Sequence, residues 1–508
     1  MSGIQDNLLH RDTNLGINPS SKSHKNWFKR TFSKLDNGGL RGNTFLMLVS
    51  TAGCSYFYLP YFAKVSGLYA MCIFLSISAF VSYYSSTKLY YAYKATKAKT
   101  FNECTEMILG SKLGFLANFM IFLHVYGTVL VTWAFGFKIF NHVLILNYPK
   151  LAEQSFQYPF GYVYFLSVFL IVFLFNFFGN LEKLKSISAI GLLIMIYLTL
   201  VYAFQMSDYF DYYNDKDRID IEGFKIDNKV FATFGLSNCL FLNQYTIMPI
   251  CKNINNVTSK RVTKVIGRAL LSVFLVYLSI LFIGYFSQPN QNVMDSGHMS
   301  TLFLLRTPIP GRADTWAMIG QALFGIFMLI NLIVKSHFLI IYFEELLRNI
   351  GKITSNRNLT RERIIDDEID VMRFKNRRTS SENEVNSPES LQESLQQQME
   401  SFSESTAIID NEEQNDCKRI ANGFIFLFIS AFISYAVVDM LSKFLTIVYN
   451  FVAIFEMVVF PLWMICEINK RKKILGDNEK VIIFLFAGVY VCVCVSVLFA
   501  NLFLESLG

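Results

Sequence analysis

The chain has 508 residues, of which 53% are hydrophobic and only 17% charged, and this is too apolar for a soluble protein of its size. Its formal net charge of +7 comes from Lys and Arg beside apolar stretches, a pattern that membrane orientation explains, so we expect no nucleic-acid partner. Its nine cysteines show no metal-ligand spacing and there is no nucleophile elbow or phosphate loop, so we expect neither a metal site nor enzymatic activity.

The chain begins with a polar segment and continues with apolar stretches. Residues 1–42 are rich in Ser, Asn, Lys and Arg, which predicts a disordered cytosolic tail without a cleavable signal peptide. Eleven apolar stretches follow, and most reach the roughly 20 residues that cross about 30 Å of hydrocarbon. We number these predicted spans from first to eleventh, at 43–62, 67–93, 115–146, 159–179, 186–206, 229–251, 262–287, 313–347, 419–441, 444–466 and 481–503.

The connecting segments predict the orientation of the chain. Lys and Arg concentrate in four connections on one side of the membrane, and the positive-inside rule assigns that side to the cytosol. The acidic connection 207–228 lies on the opposite side. The amino terminus is therefore predicted to be cytosolic, and both the plasma membrane and a vacuolar or lysosomal type of membrane fit this topology.

The longest polar connection, 348–418, separates the eighth span from the ninth. Ser, Glu, Asn and Gln dominate it, which predicts a disordered cytosolic insert. Two interpretations stay open. The insert is either an unselected spacer or a segment that binds cytosolic regulators, with Ser380, Ser381, Ser387 and Ser390 as candidate phosphorylation sites.

The first and sixth spans carry the strongest functional signal. Small, weakly helix-forming residues from Ser50 to Ser55 lie at mid-membrane depth in the first span, which predicts a broken helix that lines a cavity. The sixth span has the same character, with small and amide residues between Gly235 and Pro249. An inverted repeat of two five-helix halves pairs these two spans, although Gly and Pro are also common in membrane helices in general.

A pair of broken helices suits a zwitterionic substrate. Amides around Cys54 to Tyr56 would hold a carboxylate with the help of the helix dipole, and carbonyls of the sixth-span break would hold an ammonium. Tyr126 of the third span would donate to the carboxylate, although packing between helices is the alternative role for this ring. The candidate substrate-binding residues are Ser50, Thr51, Gly53, Cys54, Ser55, Tyr126, Phe234, Ser237, Asn238 and Phe241.

Three further residues, Gln244, Asn331 and Glu456, are candidates for coupling or gating. Glu456 lies deep in the tenth span, where a protonated carboxyl is tolerated, so it is our first candidate for proton coupling. The alternative is an acid that is hydrogen-bonded to a neighbouring helix. His124 in the third span is a weaker candidate.

The stretch GCSYFYLPYF followed by VSGL resembles the first-span motif of the amino acid/auxin permease family, an amino acid transporter family of the APC superfamily. The sixth-span stretch that ends at Met248 and Pro249 is similar to that family's, and the resemblance extends from Asn43 to Leu502 apart from 348–418. It implies an all-α integral membrane protein with eleven transmembrane helices, a LeuT-like 5+5 inverted repeat, and amino-acid transport by alternating access. We expect this transport to be either proton-coupled or facilitative. A membrane amino-acid sensor that uses the same pocket is the alternative function.

The chain departs from the family pattern in ways that bear on the coupling ion. Gly-x-Gly of the family becomes Gly53-Cys54-Ser55, and Gln244 stands where many members have His. Sodium-coupled relatives have an Asn in the first span where Val49 stands, and a hydroxyl in the eighth span where we find Asn331. Since a hard cation needs several oxygen ligands, we expect H+ rather than Na+ as the coupling ion, and no cofactor.

Overall fold

A computed structural model describes residues 38–147, 159–178, 181–214, 223–225, 229–287, 314–355, 423–431 and 451–472, together with single positions at 309, 433 and 488. Every regular element within these ranges is helical, which confirms the predicted all-α class. Most of the predicted amino-terminal tail, most of the 348–418 insert and nearly all of the eleventh span lie outside the described residues.

The long helices follow the predicted spans. Within the described ranges, six helices are long and apolar enough to cross a membrane, or seven if the bent first span is counted as one. This confirms a multi-pass membrane protein, while the total of eleven spans stays a prediction. Five of the six are continuous α-helices, Leu68–Thr96 in the second span, Ser111–Asn147 in the third, Leu181–Asn214 in the fifth, Ser259–Ser287 in the seventh and Thr315–Ser355 in the eighth, and the sixth lies in the tenth span. The fourth-span helix, Pro159–Phe178, is not one of the six.

Both predicted helix breaks are present. The first span consists of helix Leu40–Thr51, a 3₁₀ turn at Cys54–Tyr58 and helix Leu59–Ser66, and its two halves are bent by 52°. The sixth span consists of Lys229–Cys239 and Gln244–Asn253, with an interruption at 240–243. Gly53 is extended, with φ −94° and ψ −177°, and Pro60 lies in the first turn of the second half, where its missing N–H has no helical partner to lose.

The tenth span contains a second kind of irregularity. Its helix begins within the described residues at 451, passes through a π-helical turn at Phe455–Val459 and continues as Phe460–Lys472. The side chains of Glu456, Met457 and Val458 are buried in this turn. Single π-helical turns are rare and occur frequently at functional sites.

One unpredicted helix and two long helix extensions distinguish the structure from the prediction. The connection between the second and third spans contains a short helix, Phe101–Leu109, whose N-cap Thr100 accepts a hydrogen bond from the amide of Glu103 at 3.2 Å. The fifth-span helix continues to Asn214, into the predicted acidic connection, and the eighth-span helix continues to Ser355, into the predicted insert. Apolar length marks where a helix crosses hydrocarbon, but it does not mark where a polar extension of that helix ends.

The helix assembly has an apolar core with polar residues buried at its centre, and apolar residues also cover much of its outer surface. Phe204 of the fifth span is 81% exposed, as expected for a ring that faces lipid tails. Ser82 and Asn243, in contrast, are fully buried. Buried rings of Tyr56 and Phe324 pack 6.1 Å apart beside the first-span break. The core therefore surrounds the two breaks with aromatic rings and places their polar groups at its centre.

Candidate substrate site

Asn331 of the eighth span bonds to the first-span break. Its Nδ2 donates to the carbonyl of Val49 at 2.7 Å and to the carbonyl of Ala52 at 2.5 Å. The last carbonyls of a helix have no partner within the helix, and here a side-chain amide from another span supplies one. Asn331 is completely buried, so these bonds form away from water.

Two tyrosine hydroxyls bond to the carbonyls between those of Val49 and Ala52. Tyr245 of the sixth span donates to the carbonyl of Ser50 at 3.2 Å. Tyr277 of the seventh span lies 3.5 Å from the carbonyl of Thr51 and 3.3 Å from that of Leu240. The carbonyls of Val49, Ser50 and Ala52 thus accept from the sixth and eighth spans, and the single hydroxyl proton of Tyr277 lies within reach of the carbonyls of Thr51 and Leu240.

The two breaks also meet directly. Asn243, the last residue of the sixth-span interruption, donates from Nδ2 to Thr51 Oγ1 at 3.4 Å. Thr51 Oγ1 in turn donates to the carbonyl of Met47 at 2.7 Å. Thr51 is 5% exposed and Asn243 is fully buried. The breaks predicted from two separate parts of the sequence therefore form one polar centre.

Serines of the second span bond to the sixth-span break, and they were not predicted as site residues. Ser78, Ser82 and Ser86 are spaced four residues apart, so they lie on one face of their helix; we call them the serine ladder. Ser78 Oγ donates to Asn238 Oδ1 at 2.6 Å and lies 3.0 Å from Ser237 Oγ. The ladder thus begins at the end of the first sixth-span half-helix.

The other two members of the ladder bond within the interruption itself. Ser82 Oγ donates to the carbonyl of Phe241 at 2.7 Å, and Ser86 Oγ donates to Asn243 Oδ1 at 3.1 Å. Ser82 and Ser86 are both completely buried. Their four-residue spacing was the available sequence signal, but serines with this spacing also occur in membrane helices without such a role.

Gln244 lies at the start of the second sixth-span half-helix. Its Oε1 accepts from the amide of Asn243 at 3.0 Å, whereas its Nε2 has no hydrogen-bond partner among the described residues. Asn331 Oδ1 is likewise unpartnered within this part of the chain. Buried polar atoms usually have a partner, so these two atoms are available to a ligand or to water.

The remaining first- and sixth-span candidates lie at or near the breaks. Gly53 is the extended residue of the first break, and Cys54 and Ser55 begin the 3₁₀ turn, with side chains outside the described set. Ser50 Oγ bonds to its own helix, at the carbonyl of Met47. Phe234 lies one turn before Asn238 and packs edge-on against Phe74 of the second span, with ring centroids 5.2 Å apart.

Tyr126 is the candidate that the described contacts do not connect to either break. Its ring stacks on Phe122, with centroids 5.7 Å apart, and contacts Phe426, and its hydroxyl has Ser430 as a partner. Two residues earlier, His124 is on a different face, because each residue turns the helix by about 100°. The His124 ring lies edge-on to Tyr245, with centroids 5.4 Å apart.

His124 also pairs with Glu456. Its Nδ1 lies 3.0 Å from Glu456 Oε2, and the two side chains are 3% and 0% exposed. Glu456 is the second residue of the π-helical turn, and its Oε1 has no partner in the described ranges. The sequence marked both residues as ionisable groups in the membrane, but no local pattern links positions 332 residues apart.

The described residues contain no group of three or more His, Cys, Asp or Glu that could hold a metal ion.

The model of a family described as "transmembrane amino acid transporter protein" matches residues 36–502. The chain belongs to this transmembrane amino acid transporter family. Membership confirms the predicted amino acid transporter family, which is one of transporters rather than enzymes, and the two broken helices are the part of the predicted LeuT-like architecture that the described residues show.

Other transporter-family proteins and solved structures are also similar. A candidate amino acid transporter, AAT1, of Plasmodium falciparum isolate 3D7 is 24% identical over 278 residues, which are 53% of this chain and 43% of the relative. Its counterpart in Plasmodium berghei strain Anka is 22% identical over 268 residues, or 53% and 42% of the two chains. The match thus spans less than half the length of these curated relatives.

The structural similarities extend over more of the chain at lower identity. A substrate-bound, outward-open Na+-coupled sialic acid symporter has a TM-score of 0.48 and 10% identity, over 85% of this chain and 78% of that one. The nucleobase-cation-symport-1 transporter Mhp1 has a TM-score of 0.48 and 12% identity, over 92% and 90%. The substrates named for these two symporters are those of the two solved proteins alone.

Proposed function

We propose that the chain is a secondary transporter that moves amino acids across a membrane by alternating access, with the substrate held between the first- and sixth-span breaks. The observation that carries this proposal is the direct contact of the two breaks through Asn243 and Thr51. Buried polar groups at membrane depth are costly and usually mark a substrate pathway. Half-helix ends at the midplane are the form that such a site takes in secondary transporters.

The chemistry of the breaks suits a zwitterion. The amides at the start of the 3₁₀ turn, at Cys54, would receive the carboxylate, with Gln244 Nε2 as a further donor. The carbonyls at 49–52 and 240–241 would receive the ammonium. The carbonyls of Val49, Ser50 and Leu240 accept hydrogen bonds from neutral hydroxyl and amide groups. A charged donor such as an ammonium makes a stronger hydrogen bond than these neutral groups do. Each carbonyl has two lone pairs, so the ammonium can bind before the protein donors leave.

Thr51→Val tests this proposal. The substitution keeps the shape of the side chain but removes the oxygen through which the two breaks meet. Uptake of a labelled amino-acid mixture into proteoliposomes is expected to fall about tenfold, since one lost buried hydrogen bond is worth about 1–3 kcal/mol. Thr44→Val is the matched control, because Thr44 in the same half-helix bonds only to its own helix, at the carbonyl of Leu40. Equal uptake by both variants would remove the first break from the site.

The amino-acid sensor remains the second candidate function, and the long polar segment 348–418 favours it. A sensor needs a segment that reports binding, whereas a transporter does not. Deletion of residues 356–416, which lie beyond the eighth-span helix, separates the two. We expect the shortened chain to take up amino acids as the full chain does. Amino-acid binding without uptake in the full chain would favour the sensor.

We further propose H+ rather than Na+ as the coupling ion. A hard cation needs several oxygen ligands, and at the first break Val49 and Asn331 stand where sodium-coupled members of the family have an Asn and a hydroxyl, so its ligands would be mostly backbone carbonyls. Uptake in sodium-free buffer is the corresponding measurement. Uptake that requires sodium would contradict this assignment.

The orientation and the cytosolic partners are also proposals. Lys252, Lys260 and Arg261 between the sixth and seventh spans support a cytosolic position for that connection, and with it for the amino terminus and the 348–418 insert. We propose that the insert binds cytosolic regulators. The membrane is either the plasma membrane or a vacuolar or lysosomal type of membrane.

A further inference from the structure

His124 and Glu456 form a buried titratable pair, and one carboxylate oxygen, Glu456 Oε1, has no hydrogen-bond partner among the described residues. The Nδ1–Oε2 distance of 3.0 Å is a hydrogen bond whose proton can reside on either atom. Without an extra proton the pair carries a net negative charge, and with one it is neutral, either as imidazole and carboxylic acid or as an ion pair. A buried net charge is far more costly than a neutral pair, so the protonation state changes the stability of this part of the structure.

Few other titratable groups face the pair. Tyr245 of the sixth span and Tyr342 of the eighth lie close enough for the charge of Glu456 to act on them. The second span also packs against the π-helical turn, and the cations of its helix are Lys88 and Lys94. The Lys88 ammonium lies over the rings of Tyr84 and Tyr91, at 5.0 and 5.9 Å from their centroids.

The charged residues at the helix ends lie farther along the chain from the pair. In the third span, Lys112 and Lys138 are about three turns or more from His124. In the tenth span, Glu467 pairs with Lys470 at 3.2 Å, about three turns after Glu456. Among the described residues, no cation other than His124 itself is recorded in contact with Glu456 to compensate its charge.

Tyr245 connects the pair to the first-span break. Its ring contacts the His124 ring, its hydroxyl donates to the carbonyl of Ser50, and its own carbonyl accepts from the Tyr342 hydroxyl at 2.7 Å. An imidazolium over the face of an aromatic ring is attracted by about 0.5–2 kcal/mol through its charge, a term that adds to the edge-to-face contact of the neutral ring. The charge of His124 therefore acts on a residue that bonds to the proposed substrate site.

We propose that His124 and Glu456 together form the proton-binding site of this protein, and that Tyr245 transmits its protonation state to the first-span break. This inference rests on the proposed transport function and adds to it the site of the coupling ion. One proton enters from the side on which the pair is accessible, neutralises the pair and is released on the other side. The amino acid moves in the same cycle.

Proteoliposomes containing the full chain provide the test, with a labelled amino-acid mixture, sodium-free buffer and the membrane potential held at zero. Exchange is measured at equal pH on both sides, and accumulation is measured with an inward gradient of about one pH unit. For one proton per amino acid, the gradient supports about tenfold accumulation in the wild type. In Glu456→Gln, which keeps the bond to His124, the accumulation ratio is expected to fall to about one, whatever the rate of exchange. Glu467→Gln is the matched control on the same helix and should accumulate like the wild type.

The outcomes separate this inference from the proposed function. Absence of exchange by the wild type would refute transport itself. Exchange without gradient-driven accumulation in the wild type, or full accumulation by Glu456→Gln, would overturn the proton site and leave transport standing. If Glu456→Gln does not fold, His124→Gln replaces it, since the amide still bonds to Glu456 but cannot titrate. The pH at which accumulation is half-maximal should then shift relative to the wild type, and an unchanged pH profile would also overturn the assignment.

Discussion

Asn331 holds two carbonyls of the first-span break with one amide, and the stability of the break should depend on it. Asn331→Ala removes both bonds and leaves the carbonyls of Val49 and Ala52 buried without this donor, at a cost of about 1–3 kcal/mol each. We expect a lower melting temperature in detergent. Asn176→Ala is the control, because Asn176 bonds only to its own helix, at the carbonyl of Val172. An equal loss of stability in both variants would contradict the special role of Asn331.

Cys104 should be inert to thiol reagents in the folded protein. It lies in the short helix Phe101–Leu109, outside the spans, and burial raises the pKa of its thiol to about 12. The thiolate is the reactive form, and it becomes the main species only as the pH approaches this value. Maleimide at neutral pH should therefore label the partly exposed Cys466 before Cys104, as read by peptide mass spectrometry. Labelling of Cys104 without unfolding would show that the short helix opens.

At the scale of single residues, sequence reasoning found the right kinds of residue more readily than the right partners. Thr51 and Asn331 were chosen as small or polar residues in apolar spans, and the structure brings both to the first break. Tyr126 is the third-span residue that the sequence favours for substrate binding, and His124 is only a weaker candidate for proton coupling than Glu456, yet it is His124 that contacts the sixth span. The register of a long, uniformly apolar helix cannot be read from its sequence, because no polar stripe marks the inner face.

The serine ladder makes the second span a support for the sixth-span break. Replacing Ser78, Ser82 and Ser86 with alanine removes donors worth about 0.5–1.5 kcal/mol each. The interruption at 240–243 should then open more often, so its amides should exchange hydrogen for deuterium faster than in the wild type. Ser76→Ala is the control, because Ser76 is exposed on the same helix and bonds to its own Cys72. Equal exchange in the triple variant and the control would mean that the ladder does not hold the break.

Whole elements were easier to predict than their ends. Both breaks were predicted because Gly53, Pro60 and the sixth-span polar residues disfavour a continuous helix in hydrocarbon. The helix Phe101–Leu109 was missed although Thr100 and Glu103 have the spacing of a helix start, since its apolar run is too short to register among long spans. The π-helical turn at Phe455–Val459 was not predicted at all, because bulky apolar residues fit either type of helix.

The orientation of the whole molecule can be tested at Asn256. This residue begins the sequence Asn-Val-Thr in the turn after the sixth span, where its φ of +51° is one that asparagine tolerates, and it is exposed. If the connection faces the cytosol, Asn256 carries no glycan when the chain is made in a eukaryotic cell. Enzymatic deglycosylation followed by a gel-mobility assay reads this directly. A glycan at Asn256 would invert the proposed topology.

The first span is attached to three others through its backbone, and this limits how the molecule can move. The donors to the carbonyls at 49–52 come from the sixth, seventh and eighth spans. If the first half-helix rocks alone, these bonds must break in hydrocarbon, where no water replaces them. Alternating access should therefore move the attached helices with it, or wait until a bound substrate supplies new donors.

The π-helical turn has a consequence for the evolutionary history of the tenth span. Such a turn accommodates one residue more than an α-helical turn, so it can arise by a single-codon insertion and disappear by a single-codon deletion. A deletion between 455 and 459 would restore a regular helix whose flanks keep their present orientation, because the π-helical turn absorbs the extra residue locally. Descendants of such an event would be one residue shorter in this span and keep almost all of its sequence, yet the side chains of the turn, Glu456 among them, would change direction. Relatives that share this acid would therefore be expected to share the extra residue as well.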